Sequence, residues 1–243
     1  MDLLTRTGGY TLMVADDAEQ VAAAQRLRYQ VFAGELGATL ASTVPGHDVD
    51  AFDEFCDHLI VRDDASGAVV GTYRMLPPGR APRRYADTEF DLTPLDPLRD
   101  VLVETGRSCV AAGHRTGAVI NLMWAGIARY LHLHNRRWLG GCASVPLDDG
   151  GHTAAAVRER VFARHLAPPR MRVTPRTPWQ PGPGLTVADA APPPLLRGYL
   201  RLGAWVCGEP AYDPDFRCAD FYVLLSLDRV DPRYLRHFLG DAG

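Results

Sequence analysis

The chain has 243 residues, 47% hydrophobic and 23% charged, ordinary values for a soluble globular protein with enough length to bury a core. Every one of its 26 Lys+Arg residues is an arginine, which excludes a Walker phosphate loop, a pyridoxal Schiff base and other lysine-dependent chemistry. Against 29 acidic residues the formal charge is -3, so no global field draws the chain onto nucleic acid.

Five cysteines without a C-x-x-C pair fit neither a disulfide scaffold nor a zinc ribbon, and a reducing cytoplasm is the expected compartment. No stretch approaches the roughly 18 uninterrupted apolar residues of a membrane span. Residues 1–17 carry Asp2 and Arg6 and lack the long apolar block of a signal peptide. Peripheral membrane contact stays open.

Thr11 to Val14 reads as a short strand. Asp17 then opens a helix, with Gln20 placed to complete a capping box. Val21, Ala24, Leu27, Val31 and Leu36 form its apolar stripe, and Gly37 ends it. Arg28, Phe32 and Glu35 line up on a neighbouring face. An acidic loop follows over 47–57. Two β-prone runs, 58–61 and 69–76, flank a Gly-containing turn and predict an antiparallel hairpin. Residues 77–84 make a basic loop, 101–106 a strand and 117–134 a long apolar helix. A strand over 138–145 completes a βαβ-type crossover. A helix over 153–166 precedes a loop at 175–194 rich in proline and glycine. Helix 195–206, strand 220–227 and a short helix 232–239 close the chain. The expected architecture is one α/β domain over 1–243, with a central mixed, twisted sheet flanked by helices.

Glu104 sits inside an apolar strand, where burial raises a carboxyl toward the range of a general base. A structural ion pair with Arg107 explains it equally well. The two lie three apart, so a bulge at Gly106 is needed to bring them to one side. Arg115, Thr116, Gly117 and Ala118 lie between a strand and a helix start, a place suited to a phosphate. His58 and Asp63 have the H-x-x-x-x-D spacing of glycerolipid acyltransferases. An odd offset along a strand points them to opposite faces, and the motif is rejected. His132 and His134, two apart on a helix, diverge, and Cys109 lacks the orienting partners of a nucleophile. The arginines of 80–84 and 158–176 form local basic patches, suited to an acidic protein or anionic lipid.

The chain resembles the GNAT superfamily, and within it the ornithine N-acyltransferases, with acyl-homoserine-lactone synthases as more distant relatives. The resemblance rests on 27–32, 52–61, 71–76, 89–92, 103–110, 195–204, 210–213 and 219–221, in that order along the chain. It implies a GNAT-like fold and transfer of a fatty acyl group from an acyl-carrier-protein or coenzyme A thioester to an amino-acid α-amine, ornithine first. Arg28 and Phe32 match the front of the relatives' acyl and acceptor pocket, and Asp53, Arg74, Glu104 and Arg107 match their charged cluster. Glu104 is then the candidate base, with Arg107 the second catalytic candidate, and Arg28, Phe32, Asp53 and Arg74 are the substrate-binding candidates. Residues 115–118 lie where the superfamily binds pantetheine pyrophosphate. Their degenerate glycine pattern leaves room for an acyl carrier protein, whose phosphopantetheine lacks the nucleotide. No permanently bound cofactor, metal or nucleic-acid partner is implied. Acyl-homoserine-lactone synthesis, short-chain acetyl transfer from acetyl coenzyme A and a non-catalytic acyl-binding module are the competing readings.

Overall fold

The computed structural model describes residues 3–182, 185 and 190–239. In chain order the main elements are β1 (Thr5–Thr7), β2 (Tyr10–Val14), α1 (Ala18–Tyr29), β3 (Asp57–Asp63), β4 (Val69–Leu76) and β5 (Phe90–Asp91). They continue with β6 (Leu102–Val110), α2 (Gly117–Leu133), β7 (Trp138–Pro146), α3 (His152–Arg164), β8 (Thr174–Pro175) and α4 (Pro194–Arg201). The last are β9 (Trp205–Val206), β10 (Ala211–Asp213), β11 (Cys218–Ser226) and α5 (Pro232–Leu239). The described residues fall into two compact units: those of 3–81, 105–137 and 232–239 form the first, those of 82–104 and 138–231 the second.

In the first unit β1, β2, β3 and β4 are antiparallel neighbours, and β6 follows β4. Successive residues of a strand face opposite ways, so each face of this sheet receives its own helix. Met13 and Ile60 face α1. Leu12, Val61 and Gly71 face α2, where Gly126 lets the helix approach Leu12 and Val119 lies against Gly71. Helix α1 starts as expected, with Asp17 accepting from Gln20 N at 2.8 Å. The return bond from Gln20 goes to Asp16 N rather than to Asp17 N. The turn after α1 is π-helical over Gln30–Glu35. That wider turn shifts the phase of the helix, so Leu36, expected in the buried stripe, is 53% exposed.

In the second unit β6 pairs with β7 in parallel over Leu102–Glu104, with Glu104 opposite Gly140. β7 runs antiparallel to β11, which also pairs with β9 and β10. The core packs Phe90, Leu92, Leu95, Leu102, Val173 and Leu224 around Tyr222. The helix expected over 195–206 stops at Arg201. Gly203, at φ +86, takes the left-handed turn that ends it, and Trp205–Val206 joins β11 instead. Of the loop expected at 175–194, residues 183, 184 and 186–189 lie outside the described residues.

Candidate active site

Three arginines and three aspartates meet inside the first unit. Arg28, fully buried on α1, reaches both oxygens of Asp53 at 3.0 and 2.7 Å and forms an ion pair with Asp48 at 2.9 Å. Arg74 of β4 lies 2.9 Å from Asp53 and 2.6 Å from Asp50. Arg107 of β6 lies 3.1 Å from Asp48 and 3.3 Å from Asp50. Burial is the largest single influence on the Asp53 carboxyl and pushes it up. The hydrogen bonds and charges of Arg28 and Arg74 outweigh it and hold the group well below the usual carboxylate range. His58, against the Asp53 carbonyl at 3.3 Å, is held below its ordinary value by burial, while Asp53 pulls the other way. The cluster is thus balanced, and the acidic loop is a clamp joining α1, β4 and β6. The backbone irregularity expected at Gly106 falls on Arg107 itself, which adopts φ +53. A non-glycine residue in that conformation costs about 1–3 kcal/mol, and its two aspartate contacts hold it there. Phe32 is buried in the π-helical turn that follows α1.

Also in the first unit, Thr116 precedes α2 in extended conformation but makes no side-chain cap bond. Gly117 and Ala118 are exposed at the helix start, a place that favours anions. Arg115 stands beside it, bonded to the Val110 carbonyl and paired with Glu35.

In the second unit Glu104 is 4% exposed, and its two oxygens accept the N–H groups of Tyr85 at 2.6 Å and Ala86 at 3.0 Å. Two groups that the sequence did not reveal lie close in the chain fold. Arg84 immediately precedes that pair of N–H donors. It is 7% exposed, and neither Nη1 nor Nη2 has a hydrogen-bond partner. Tyr222 Oη is likewise buried without a partner. It lies over Gly140, where a Cβ would come within 2.5 Å of it. Burial, then the Glu104 charge, push the Tyr222 phenol well up, and Arg84 opposes them.

Farther along the same face, Asp220 sits opposite Ser144, and Glu89 is bonded to both Asp220 and Cys142. Burial, then the charges of Asp220 and Asp213, hold Glu89 well above the usual carboxylate range, and burial raises Asp220 too. Ligand atoms of Asp213, Cys218 and Asp220 lie within 4.8 Å of one another, a grouping the sequence reading did not anticipate. A lone acid within an apolar strand, Asp220 in β11, was the available signal, the same one that singled out Glu104.

Other candidates fall away. Burial pushes the Cys109 thiol up to about 12, so it stays protonated. His58 is buried beside Asp53, whereas Asp63 binds Ser66 at the hairpin turn. His132 and His134 are exposed. Arg158 pairs with Glu209. Arg160, Arg164, His165, Arg197 and Arg201 line a basic pocket of about 700 Å³ between α3 and α4. Among the described residues no helix is long and apolar enough to cross a membrane.

Residues 27–125 match the family model described as an acetyltransferase (GNAT) domain. Over its whole length the chain is 34% identical to an L-ornithine N(alpha)-acyltransferase of Rhizobium meliloti (strain 1021), covering 88% of that relative. It is 35% identical to the enzyme of the same name from Rhodobacter capsulatus, over 93% of each chain. Among solved structures it resembles FeeM, an N-acyl amino acid synthase from uncultured soil microbes, at TM-score 0.56 and 10% identity, over 91% of this chain and 93% of that one. It also resembles BjaI, a coenzyme A-dependent acyl-homoserine lactone synthase, at TM-score 0.53 and 16% identity, over 93% of this chain and 85% of that one. The mixed sheet and its helices are therefore those of the acyl-CoA N-acyltransferase fold, and the chain is an N-acyltransferase belonging to the L-ornithine N(alpha)-acyltransferase family.

Proposed function

We propose that this enzyme moves a fatty acyl group from an acyl-carrier-protein thioester to the α-amine of ornithine, giving a lyso-ornithine-lipid-type product. The names of its full-length relatives support the acceptor. The observation that carries the mechanism is Glu104, a buried carboxylate aimed by two backbone N–H groups. In the reaction the neutral amine attacks the thioester carbonyl, an N–C bond forms and the C–S bond breaks. Glu104, through a water, takes the proton from the nitrogen and the departing thiolate recovers it. Arg84, a buried guanidinium with no partner on either Nη, suits the acceptor's α-carboxylate. The family resemblance assigns Arg28, Phe32, Asp53 and Arg74 to substrate binding and Arg107 to the catalytic set. The uncapped start of α2, with Arg115, Thr116, Gly117 and Ala118, receives the pantetheine phosphate.

A carrier protein as donor fits the basic pocket between α3 and α4, because such a surface favours an acidic protein partner. Coenzyme A is the alternative donor. A single acyl chain binds bilayers reversibly, so peripheral membrane contact suffices for product delivery.

Mass spectrometry of lipid extracts from a host expressing the protein, beside a Glu104→Gln control, tests the reading. A new N-acyl ornithine that depends on Glu104 is expected. In purified enzyme Glu104→Gln should lower kcat by about 10²–10⁴ while leaving thioester binding intact. Wild-type turnover in that variant would remove Glu104 as the base.

A further inference from the structure

We infer that the buried acid pair Glu89–Asp220 is the subsite for the acceptor's side-chain ammonium, and so the element that selects a cationic amino acid. This rests on the acceptor reading above and deepens it. Residues paired across a sheet point to the same face, as do residues two apart on one strand. Glu104 is opposite Gly140, Tyr222 opposite Cys142 and Asp220 opposite Ser144. One face of β6, β7 and β11 thus carries Glu104, Cys142, Tyr222, Ser144 and Asp220 in a row. Asp213 of β10 stands opposite Cys218, at the far end of that row.

Two independent observations make this more than a cluster of acids. Asp220 is only 3% exposed and its carboxyl is bonded to Ser144, Glu89 and Cys218, yet its Oδ1 has no hydrogen-bond partner. Glu89 Oε2 is in the same state, on a half-buried residue. Buried carboxylate oxygens left without donors are costly, and a primary ammonium carries three donors to satisfy them. Asp213 is the less available acid, because its Oδ1 already accepts the N–H groups of Asp215 and Phe216 at 2.8 and 3.0 Å.

The spacing suits ornithine. Gly140, beside Glu104, and Cys142, bonded to Glu89, are two residues apart on β7, about 6–7 Å along a strand. Five bonds separate the two nitrogens of ornithine, a comparable reach. With its α-amine on the Glu104 side of this face, the δ-ammonium extends toward Glu89 and Asp220.

The test compares ornithine with norvaline, which has the same α-amino acid end and chain length but no δ-amine. Both are assayed at saturating acyl donor with the wild type, Glu89→Gln and Asp220→Asn, substitutions isosteric with the protonated acids. The wild type should favour ornithine, and either variant should reduce that preference in kcat/KM at least tenfold, mainly through KM. A wild type that acylates norvaline as well as ornithine, or variants that keep the preference, would overturn the subsite while leaving acyl transfer to α-amines standing. A wild type that acylates neither amino acid would instead sink the acceptor reading, and the subsite with it. An ornithine preference lost to EDTA and restored by zinc would also overturn it, assigning the acids to a metal.

Discussion

At the scale of single residues, the two buried charge groups respond to pH in opposite directions. Asp53 is ionised and paired in the folded protein, its carboxyl held below the ordinary value of 3.8 by Arg28 and Arg74 against the cost of burial. Its contribution to stability is complete above that ordinary value and is lost as the pH falls below it. Glu89 is the converse: its carboxyl lies above the ordinary 4.5, so the folded state binds the extra proton. The unfolded state binds fewer protons as pH rises beyond that value, and stability declines toward the alkaline side until Glu89 itself ionises. Asp220, Asp213 and Cys142 are the titratable groups around it that set this limb. Urea denaturation from pH 3 to 10 should therefore show both limbs. Glu89→Gln should flatten the alkaline one. Asp53→Asn should remove its share of the acid limb and cost about 3–5 kcal/mol at neutral pH, because Arg28 and Arg74 lose a buried partner. An unchanged alkaline slope in Glu89→Gln would show that the pair holds no extra proton. The residues of the first cluster were legible from the resemblance. Their mutual pairing was not, since it depends on a loop folding back onto α1 and β4. Arg84 and Tyr222 gave no signal because an arginine in a basic loop and a tyrosine in an apolar strand are ordinary in any sequence.

At the scale of elements, two glycines mark close approaches with different consequences. A Cβ at Gly126 of α2 would lie 2.7 Å from the two terminal methyls of Leu12, the far end of a flexible side chain. Helix propensity favours alanine over glycine by about 1 kcal/mol, so Gly126→Ala should be nearly neutral. At Gly140 the Cβ would meet Tyr222 Oη at 2.5 Å, Tyr222 Cζ at 3.2 Å and Leu102 at 3.3 Å. That tyrosine is a rigid ring packed edge-on against Phe90 at 5.8 Å, so it cannot step aside cheaply. Gly140→Ala should cost about 1–3 kcal/mol and displace the hydroxyl beside Glu104, lowering activity as well as the urea midpoint. Equal effects of the two substitutions would contradict this difference in rigidity. The same contrast governs what the sequence showed. Long periodic runs such as α2 and the β3–β4 hairpin were readable because every residue repeats one instruction. The π-helical turn, the early stop of α4 and the two-residue strand β9 were not, because each is decided by one or two positions whose partners are distant in sequence.

At the scale of the whole molecule, a net charge of -3 conceals a strongly uneven distribution. The pocket between α3 and α4 gathers Arg160, Arg164, Arg197 and Arg201 with His165 against the single acid Glu159, so a local field persists where the total is near zero. Such a field acts on a macromolecular donor more than on a small one, because many charges of an acidic protein are within a Debye length of about 8–10 Å at once. If an acyl carrier protein docks there, Arg160→Glu with Arg197→Glu should lower kcat/KM for acyl carrier protein at least tenfold. The same protein should use a truncated acyl-pantetheine thioester at its original rate, since neither arginine faces Glu104 chemistry. Raising the salt from 0.05 to 0.5 M should erase most of the difference between wild type and variant with the carrier-protein donor. Equal losses with both donors would mean that the substitutions had damaged the fold. No loss with either would place the docking surface elsewhere and return coenzyme A to the lead as donor.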